Sequence, residues 1–241
     1  MPVAKPSVSV FFPCFNDEKT IGLLVRGIKK ILDKNAGKYE IIVIDDGSTD
    51  NSRGELSKLS KEIKNLRLIF HRQNKGYGGA LKSGFKAAKY DLVFYTDGDG
   101  QYDIGELELL IPLMTHDIDV VNGIKMFRND PWYRIIIGNL YNFFVRNVFG
   151  IDINDTDCDF RLIRNSSLKK INLNCSSGAI CVELVKKLQD MGAEFRQVSV
   201  HHYSRKHGNS QFFNWKRIFN TGIELIRLRL ELWKFINPLT Y

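Results

Sequence analysis

Two carboxylates separated by a single glycine, Asp97-Gly98-Asp99, stand directly after the apolar run from Leu92 to Thr96. So spaced at a strand end, they can converge on one hard cation, and Mg2+ or Mn2+ held this way keeps open positions for phosphate oxygens. A solvated acidic turn has the same composition. A second acidic strand end, Asp45-Asp46-Gly47-Ser48 after the run from Tyr39 to Ile44, favours a site. There a carboxylate can accept hydrogen bonds from a nucleobase N–H or a ribose hydroxyl, the role expected of Asp46. Ser48, or Asp50 with it, suits the N-cap of the next helix. Asn74-Lys75-Gly76-Tyr77-Gly78-Gly79 opens a helix after a strand, as a phosphate-binding loop does. It matches neither the dinucleotide fingerprint, which needs glycine where Leu81 stands, nor the P-loop, which needs Gly-Lys-Ser/Thr. A dehydrogenase or P-loop ATPase is thereby disfavoured; Gly78 and Gly79 alternatively serve only close packing and the turn.

The elements that must position these clusters alternate. Ser7 to Phe12 reads as a strand ended by Pro13, Glu18 to Leu32 as a helix, and Tyr39 to Asp45 as a strand covered on both faces. A helix to about Lys64 follows, then a strand from Leu66 to His71, a helix from Gly78 to Lys89 and a strand from Leu92 to Thr96. Such alternation predicts parallel βαβ units, whose ligands bind beyond the carboxyl ends of the strands. Asn16, Asp45-Asp46, Asn74 to Gly76 and Asp97 to Asp99 all fall there, so one site is expected from four strand ends. The second half is less regular. Strands are expected at Asp119 to Lys125, Phe160 to Ile163 and Phe195 to His202. Helices are expected at Pro131 to Phe149 (one or two), Ala179 to Met191 and Asn214 to Trp233.

The chain has 241 residues, 44% of them hydrophobic and 26% charged, enough for one sizeable α/β core and too apolar for disorder. No run approaches the roughly 20 apolar residues that span a bilayer, and the first ten residues do not resemble a secretory signal. The four cysteines lack metal-type spacing, so a reducing, cytoplasmic setting is the expectation. Residues 1–120 hold 17 basic and 17 acidic side chains, and residues 121–241 hold 18 and 10, so the entire net charge of +8 lies in the second half. An anionic partner or a plain solvated surface accounts for that equally. Nucleic acid is disfavoured, because no binding motif with interleaved stacking aromatics accompanies the charge.

In order and spacing, four segments together resemble the family 2 glycosyltransferases of the GT-A fold, and within them the polyprenyl-phosphate sugar synthases of the dolichol-phosphate mannose synthase type. They are Phe12-Pro13-Cys14-Phe15-Asn16-Asp17-Glu18, Ile44 to Asp50, Asn74-Lys75-Gly76, and Asp97-Gly98-Asp99-Gly100-Gln101. The resemblance covers about residues 7 to 215. It implies a Rossmann-like, mainly parallel sheet flanked by helices, with a basic, partly helical C-terminal elaboration. Residues 1–120 would form the nucleotide-sugar half of a single domain, 121–213 the acceptor half, and 214–241 an amphipathic helix. Pro13, Phe15, Asn16, Glu18, Asp46, Lys75, Gly76 and Gly98 would bind the nucleotide sugar, while Asp97, Asp99 and Gln101 would hold the metal. The later basic loop matches His202 to Ser210, with Arg205 on the diphosphate. Gln211 stands where many of these enzymes carry Lys, leaving Lys206 or His207 as replacements. His201 and His202 read more simply as a strand end.

The run from Asp155 to Arg161 is similar to the family's D-x-x-x-G-F-R segment, with Asp159 in place of Gly. Lys125, Arg134 and Arg161 would enclose an acceptor phosphate, Arg through bidentate hydrogen bonds. Asp155, Asp157 and Asp159 would anchor those side chains, or one of them would act as a general base. The expected reaction is inverting transfer from GDP-mannose or a UDP-sugar to dolichyl or undecaprenyl phosphate, with the metal and Arg205 stabilising the leaving diphosphate. Alternatives are a glycan or other hydroxyl acceptor, and a catalytically silent nucleotide-binding module. A prenyl acceptor lies in a membrane. The stretch from Trp132 to Phe149 and the final helix mix bulky apolar residues with Arg and Lys, which suits the cytoplasmic membrane surface. Buried core, a homo-oligomer contact or a separate anchoring partner are the competing uses of those stripes.

Overall fold

The computed structural model describes residues 5–126, 132–205 and 215–236, with Arg134 and residues 234–236 described by backbone alone. β1 (Ser7–Cys14), α1 (Ile21–Asn35), β2 (Lys38–Asp45), α2 (Ser52–Glu62), β3 (Leu66–Phe70), α3 (Tyr77–Ala87) and β4 (Leu92–Thr96) alternate in the expected order. Then follow α4 (Leu107–Leu110), β5 (Val120–Met126), α5 (Trp132–Phe149), β6 (Phe160–Arg164), α6 (Asn165–Leu168), α7 (Ala179–Asp190), β7 (Phe195–His201) and α8 (Trp215–Ile236). α1 starts three residues later than expected. Asn16 adopts a left-handed φ of 59°, and the Asp17 carbonyl accepts from both Thr20 and Ile21, so helical backbone begins only beyond that turn. β1 runs through Pro13, because β4 pairs with it only as far as Phe11 and the strand then has a neighbour on one side alone.

The seven strands form one sheet in the order β3-β2-β1-β4-β6-β5-β7. β3, β2, β1 and β4 are parallel, as their alternation with helices predicts. β6 is antiparallel to both β4 and β5, a reversal the alternation rule does not anticipate. It has a spatial consequence. The amino end of β6 lies beside the carboxyl end of β4, with Phe160 opposite Thr96, so the acidic segment from Asp155 to Asp159 arrives at the same rim as Asp97. β5 runs parallel to β4 and β7 parallel to β5, which places Lys125 and the residues after His201 on that rim too.

Helices cover both faces. Ile21, Leu24, Val25, Ile28 and Leu32 recur at helical spacing on α1 and pack with Leu56 and Leu59 of α2 against one face of the sheet. The opposite face carries α3, α5, α7 and α8 through Leu81, Val145, Phe149, Ile180, Leu184, Leu225, Leu228 and Leu232. α5 is one helix, not two. Only Val145 and Phe149 of its described side chains are fully buried, and Trp132, Ile136, Leu140, Phe143 and Phe144 are more than half exposed. All four cysteines are buried free thiols. Among the described residues no helix is long and apolar enough to cross a membrane.

Candidate active site

The turns after β1 and β2 are tied to each other. Asn16 Oδ1 accepts from Thr49 N (2.7 Å) and Asp50 N (3.3 Å), Ser48 Oγ accepts from Asn16 N (3.0 Å), and Glu18 Oε2 accepts from Asn51 N (3.0 Å). The side-chain oxygens of Asn16 and Glu18, expected to meet the nucleotide sugar, are thus engaged in closing the turns. Ser48 is not the helix cap either: α2 begins at Ser52, whose N–H is capped by Asp50 Oδ1 at 3.0 Å. Asp46 is buried, and its Oδ1 accepts from His71 Nδ1 (2.6 Å) and Lys75 N (2.8 Å), which fixes the Asn74-Lys75-Gly76 loop beside it. Lys75 is exposed, Phe15 is half-buried, and Pro13 is buried in β1 in register with Ile44. Gly98 is required by packing, since a Cβ there would fall 2.5 Å from the Pro13 carbonyl oxygen.

Asp97 and Asp99 follow β4 together. Asp97 Oδ1 accepts from Tyr77 O–H (2.7 Å), and Asp99 Oδ1 from Gln101 N (3.0 Å). Arg205 bridges the two sides of the rim, 3.0 Å from Asp17 and 3.8 Å from Asp99. Gln101 reaches the same loop, donating from Nε2 to the Tyr203 carbonyl at 2.9 Å. Burial, then the nearby Asp159 and Asp99 charges, hold the Asp97 carboxyl well above the usual carboxylate range. Burial also raises Asp99, against the pull of Arg205, and pushes Asp17 up to about 6. Asp97 and Asp99 feel each other's charge, and a divalent cation would relieve the repulsion that protonation otherwise relieves, although among the described residues no set of three or more such ligands is already gathered.

The acceptor half departs from expectation at Arg161. Its side chain is wholly buried. Nε donates to Asn122 Oδ1, one terminal nitrogen to the Tyr95 hydroxyl (2.5 Å), the other to the Thr156 carbonyl, and Asp159 pairs with it at 3.6 Å. A guanidinium so enclosed cannot bind an acceptor phosphate; it organises the segment instead. Lys125 is nearly buried, 2.8 Å from the Asp157 carbonyl and 3.6 Å from Asp155. It is also a wall of a cavity of about 260 Å³ between β5 and α5, along with Asn139, Asn142, Phe143, Arg146 and Asp155. That cavity is displaced from the Asp97–Asp99 pair, neither of which lines it, and the Lys125 charge adds a lesser downward pull on the Asp97 carboxyl. The side chain of Arg134, together with Lys206, His207 and Gln211, lies outside the described residues. His201 ends β7 and contacts Glu106 at 2.6 Å.

Burial pushes Asp157 up to about 7, with Asp155 adding and Lys125 opposing. The folded protein therefore holds this proton more tightly than the unfolded chain. The resulting stability is full below about pH 4 and is lost as pH rises through about 7. Asp157→Asn is expected to flatten the metal-free profile of unfolding free energy between those limits by about 2–4 kcal/mol. Thermal or urea unfolding of both proteins across that range checks it.

Sequence reasoning missed Asp17, Tyr77, His71 and the enclosing partners of Arg161, Tyr95 and Asn122. Asp17 and Tyr77 sat inside segments already singled out, so their motifs were the available signal; the others are defined only by contacts between distant strands.

Comparison with known proteins places this rim in context. Residues 9–172 match the model of Glycosyl transferase family 2. Undecaprenyl-phosphate 4-deoxy-4-formamido-L-arabinose transferases of Edwardsiella ictaluri and Aeromonas hydrophila are 28% and 29% identical over 207 residues, 85% of this chain. The chain spans 62% of the length of each. The solved glucosyl-3-phosphoglycerate synthase of Mycobacterium tuberculosis, with Mn2+, UDP and its product, superposes with a TM-score of 0.70 at 20% identity, over 94% of this chain and 79% of that one. The sheet and its flanking helices are thus those of the GT-A fold, and the chain belongs to glycosyltransferase family 2.

Proposed function

We propose that the protein transfers a sugar, with inversion, from a nucleotide-diphosphate sugar to a polyprenyl phosphate. The observation that carries this reading is the convergence of Asp97, Asp99 and Arg205 on one rim, with Lys125 at the end of β5 on the same rim. The names of the two curated relatives support the acceptor class. Asp97 and Asp99, with Gln101, would hold Mg2+ or Mn2+, which supplies Lewis-acid stabilisation of the departing diphosphate. Arg205 would exchange its contacts with Asp17 and Asp99 for diphosphate oxygens. Lys125 and Arg146 would face the acceptor phosphate. With a second pKa of about 6, that phosphate is already largely dianionic at neutral pH, so it needs orientation rather than a base.

A bilayer-bound acceptor puts the enzyme on a membrane surface, and the buried free thiols suit its cytoplasmic face. α5 contains no Asp or Glu, and the most exposed of the described charges on α8 are basic: Lys216, Arg217, Arg227 and Arg229. Exposed Trp215, Phe219, Ile226, Leu230 and Trp233 share that helix, which suits the interface of an anionic bilayer. A hydroxyl acceptor is the second reading, favoured by Asp157, whose pKa of about 7 suits a general base. Incubation with Mn2+, a panel of GDP- and UDP-sugars, and either undecaprenyl phosphate, undecaprenol or free glycans decides between them. Product is expected only with the phosphate, and transfer to a hydroxyl acceptor alone would overturn the first reading.

A further inference from the structure

Four consecutive backbone N–H groups, Asn174 to Ser177, are held by two carboxylates from different helices. Glu183 of α7 accepts from Asn174 N and Cys175 N, both at 2.8 Å. Glu224 of α8 accepts from Ser176 N (3.0 Å), Ser177 N (2.9 Å) and Ser177 Oγ (2.6 Å). Behind the turn, Lys187 joins the two helices, 2.8 Å from Glu183 and 3.2 Å from Glu231. Burial pushes the Glu224 carboxyl up, but the bonds from Ser177 and Ser176 outweigh it and hold the group below the usual range.

The other side of this turn is the donor loop. Gly78 N donates to the Ser176 carbonyl at 2.8 Å. A Cβ on Gly76 would fall 2.6 Å from that same oxygen, and one on Gly78 would fall 2.6 Å from the Cys175 carbonyl oxygen. Two backbones in such contact leave no slack, so a shift of the turn is passed to the loop. The loop in turn holds Lys75 N on Asp46 and the Tyr77 hydroxyl on Asp97. α8, which sets the turn, is only half seated: residues 215–220 are all exposed, and full burial begins at Leu225, next to Glu224.

We propose that Glu224 is a positioning residue that couples lipid contact by α8 to the donor loop, so that docking on a bilayer tightens nucleotide binding. The coupling rests on the membrane reading above; the positioning role does not. Covering the exposed face fixes the helix, and ordering achieved once by lipid need not be achieved again by the nucleotide.

The test titrates Mn2+ with UDP, and Mn2+ with GDP, into the full chain by calorimetry, with and without phosphatidylcholine–phosphatidylglycerol vesicles. For the nucleotide that binds, the wild-type Kd is expected to fall about fivefold on vesicles. Glu224→Gln is expected to raise the vesicle-free Kd about tenfold and to lose the vesicle effect while still co-sedimenting with lipid. In turnover the loss appears in donor KM with kcat held, which general loosening of the fold would not give. Ser177→Ala removes one bond to the same carboxylate; it should move Kd less, in the same direction, and it carries the test if Glu224→Gln does not fold. Unchanged affinity in both variants overturns the positioning role, and a vesicle effect surviving in Glu224→Gln overturns the coupling. Wild-type protein indifferent to vesicles also overturns the coupling, while the vesicle-free Kd values still decide what Glu224 does. Wild-type protein that binds neither nucleotide overturns the whole proposal. A failure of transfer to polyprenyl phosphate alone leaves these nucleotide readouts standing.

Discussion

Asp99→Asn is expected to lower sugar transfer by about a thousandfold while leaving the protein folded. The amide keeps the oxygen that accepts from Gln101 N, so the turn after β4 retains its closing bond. It removes one negative charge from a rim that also holds Asp17, Asp97 and Asp159, and burial already pushes the Asp99 carboxyl toward its neutral form. Ionising a group whose folded pKa is raised costs stability, so the metal-free variant should unfold at a temperature no lower than wild type at pH 7.5. What disappears is the charge available to a divalent ion and to Arg205, 3.8 Å away. Turnover at saturating Mn2+ and a thermal melt of the same preparation check both halves. Lost turnover with a lowered melting point would assign Asp99 to structure, and unchanged turnover would overturn its role in holding the metal.

The largest effect on stability is expected at Arg161. Arg161→Met should cost about 3–5 kcal/mol, because the methionine fills the volume but leaves the buried Asp159 carboxylate uncompensated. The Tyr95 hydroxyl, the Asn122 amide oxygen and the Thr156 carbonyl lose their donor in the same step. Urea denaturation at neutral pH measures the loss. Adding Asp159→Asn to the variant should restore part of it, since the uncompensated charge is then gone. A double variant no more stable than the single one would assign the cost to packing and lost hydrogen bonds rather than to the charge.

The parallel half of the fold was legible because its central strands are buried on both faces and end in polar residues: Tyr39 to Ile44 before Asp45, Leu92 to Thr96 before Asp97. Those ends also marked the rim on which Asp46 and Asp97 lie. Arg161 was misread for a physical reason. An arginine bound for a phosphate and one sealed among Tyr95, Asn122 and Thr156 have the same letter, and its enclosing residues come from β4, β5 and the segment before β6. Ser48 was misassigned similarly, and the turn-closing part of Asn16 was invisible, since the bond between their turns joins residues 32 apart in the chain. The start of α1 slipped because the left-handed Asn16 interrupts an otherwise helical pattern. The exposed apolar face of α5 was left open by its sequence, in which buried Val145 and exposed Phe144 look alike.

The reversed β6 has a consequence for how the chain can be divided. It belongs to the second half of the sequence, proposed to bind the acceptor, but forms its ladder with β4 of the first, from Leu92 opposite Arg164 to Thr96 opposite Phe160. Cutting the gene between the halves would strip one partner from each of these strands and bare two apolar edges, a template for aggregation rather than for independent modules. The donor and acceptor portions are therefore expected to be inherited, expressed and swapped between relatives as a single piece, with diversity confined to the loops along their shared rim.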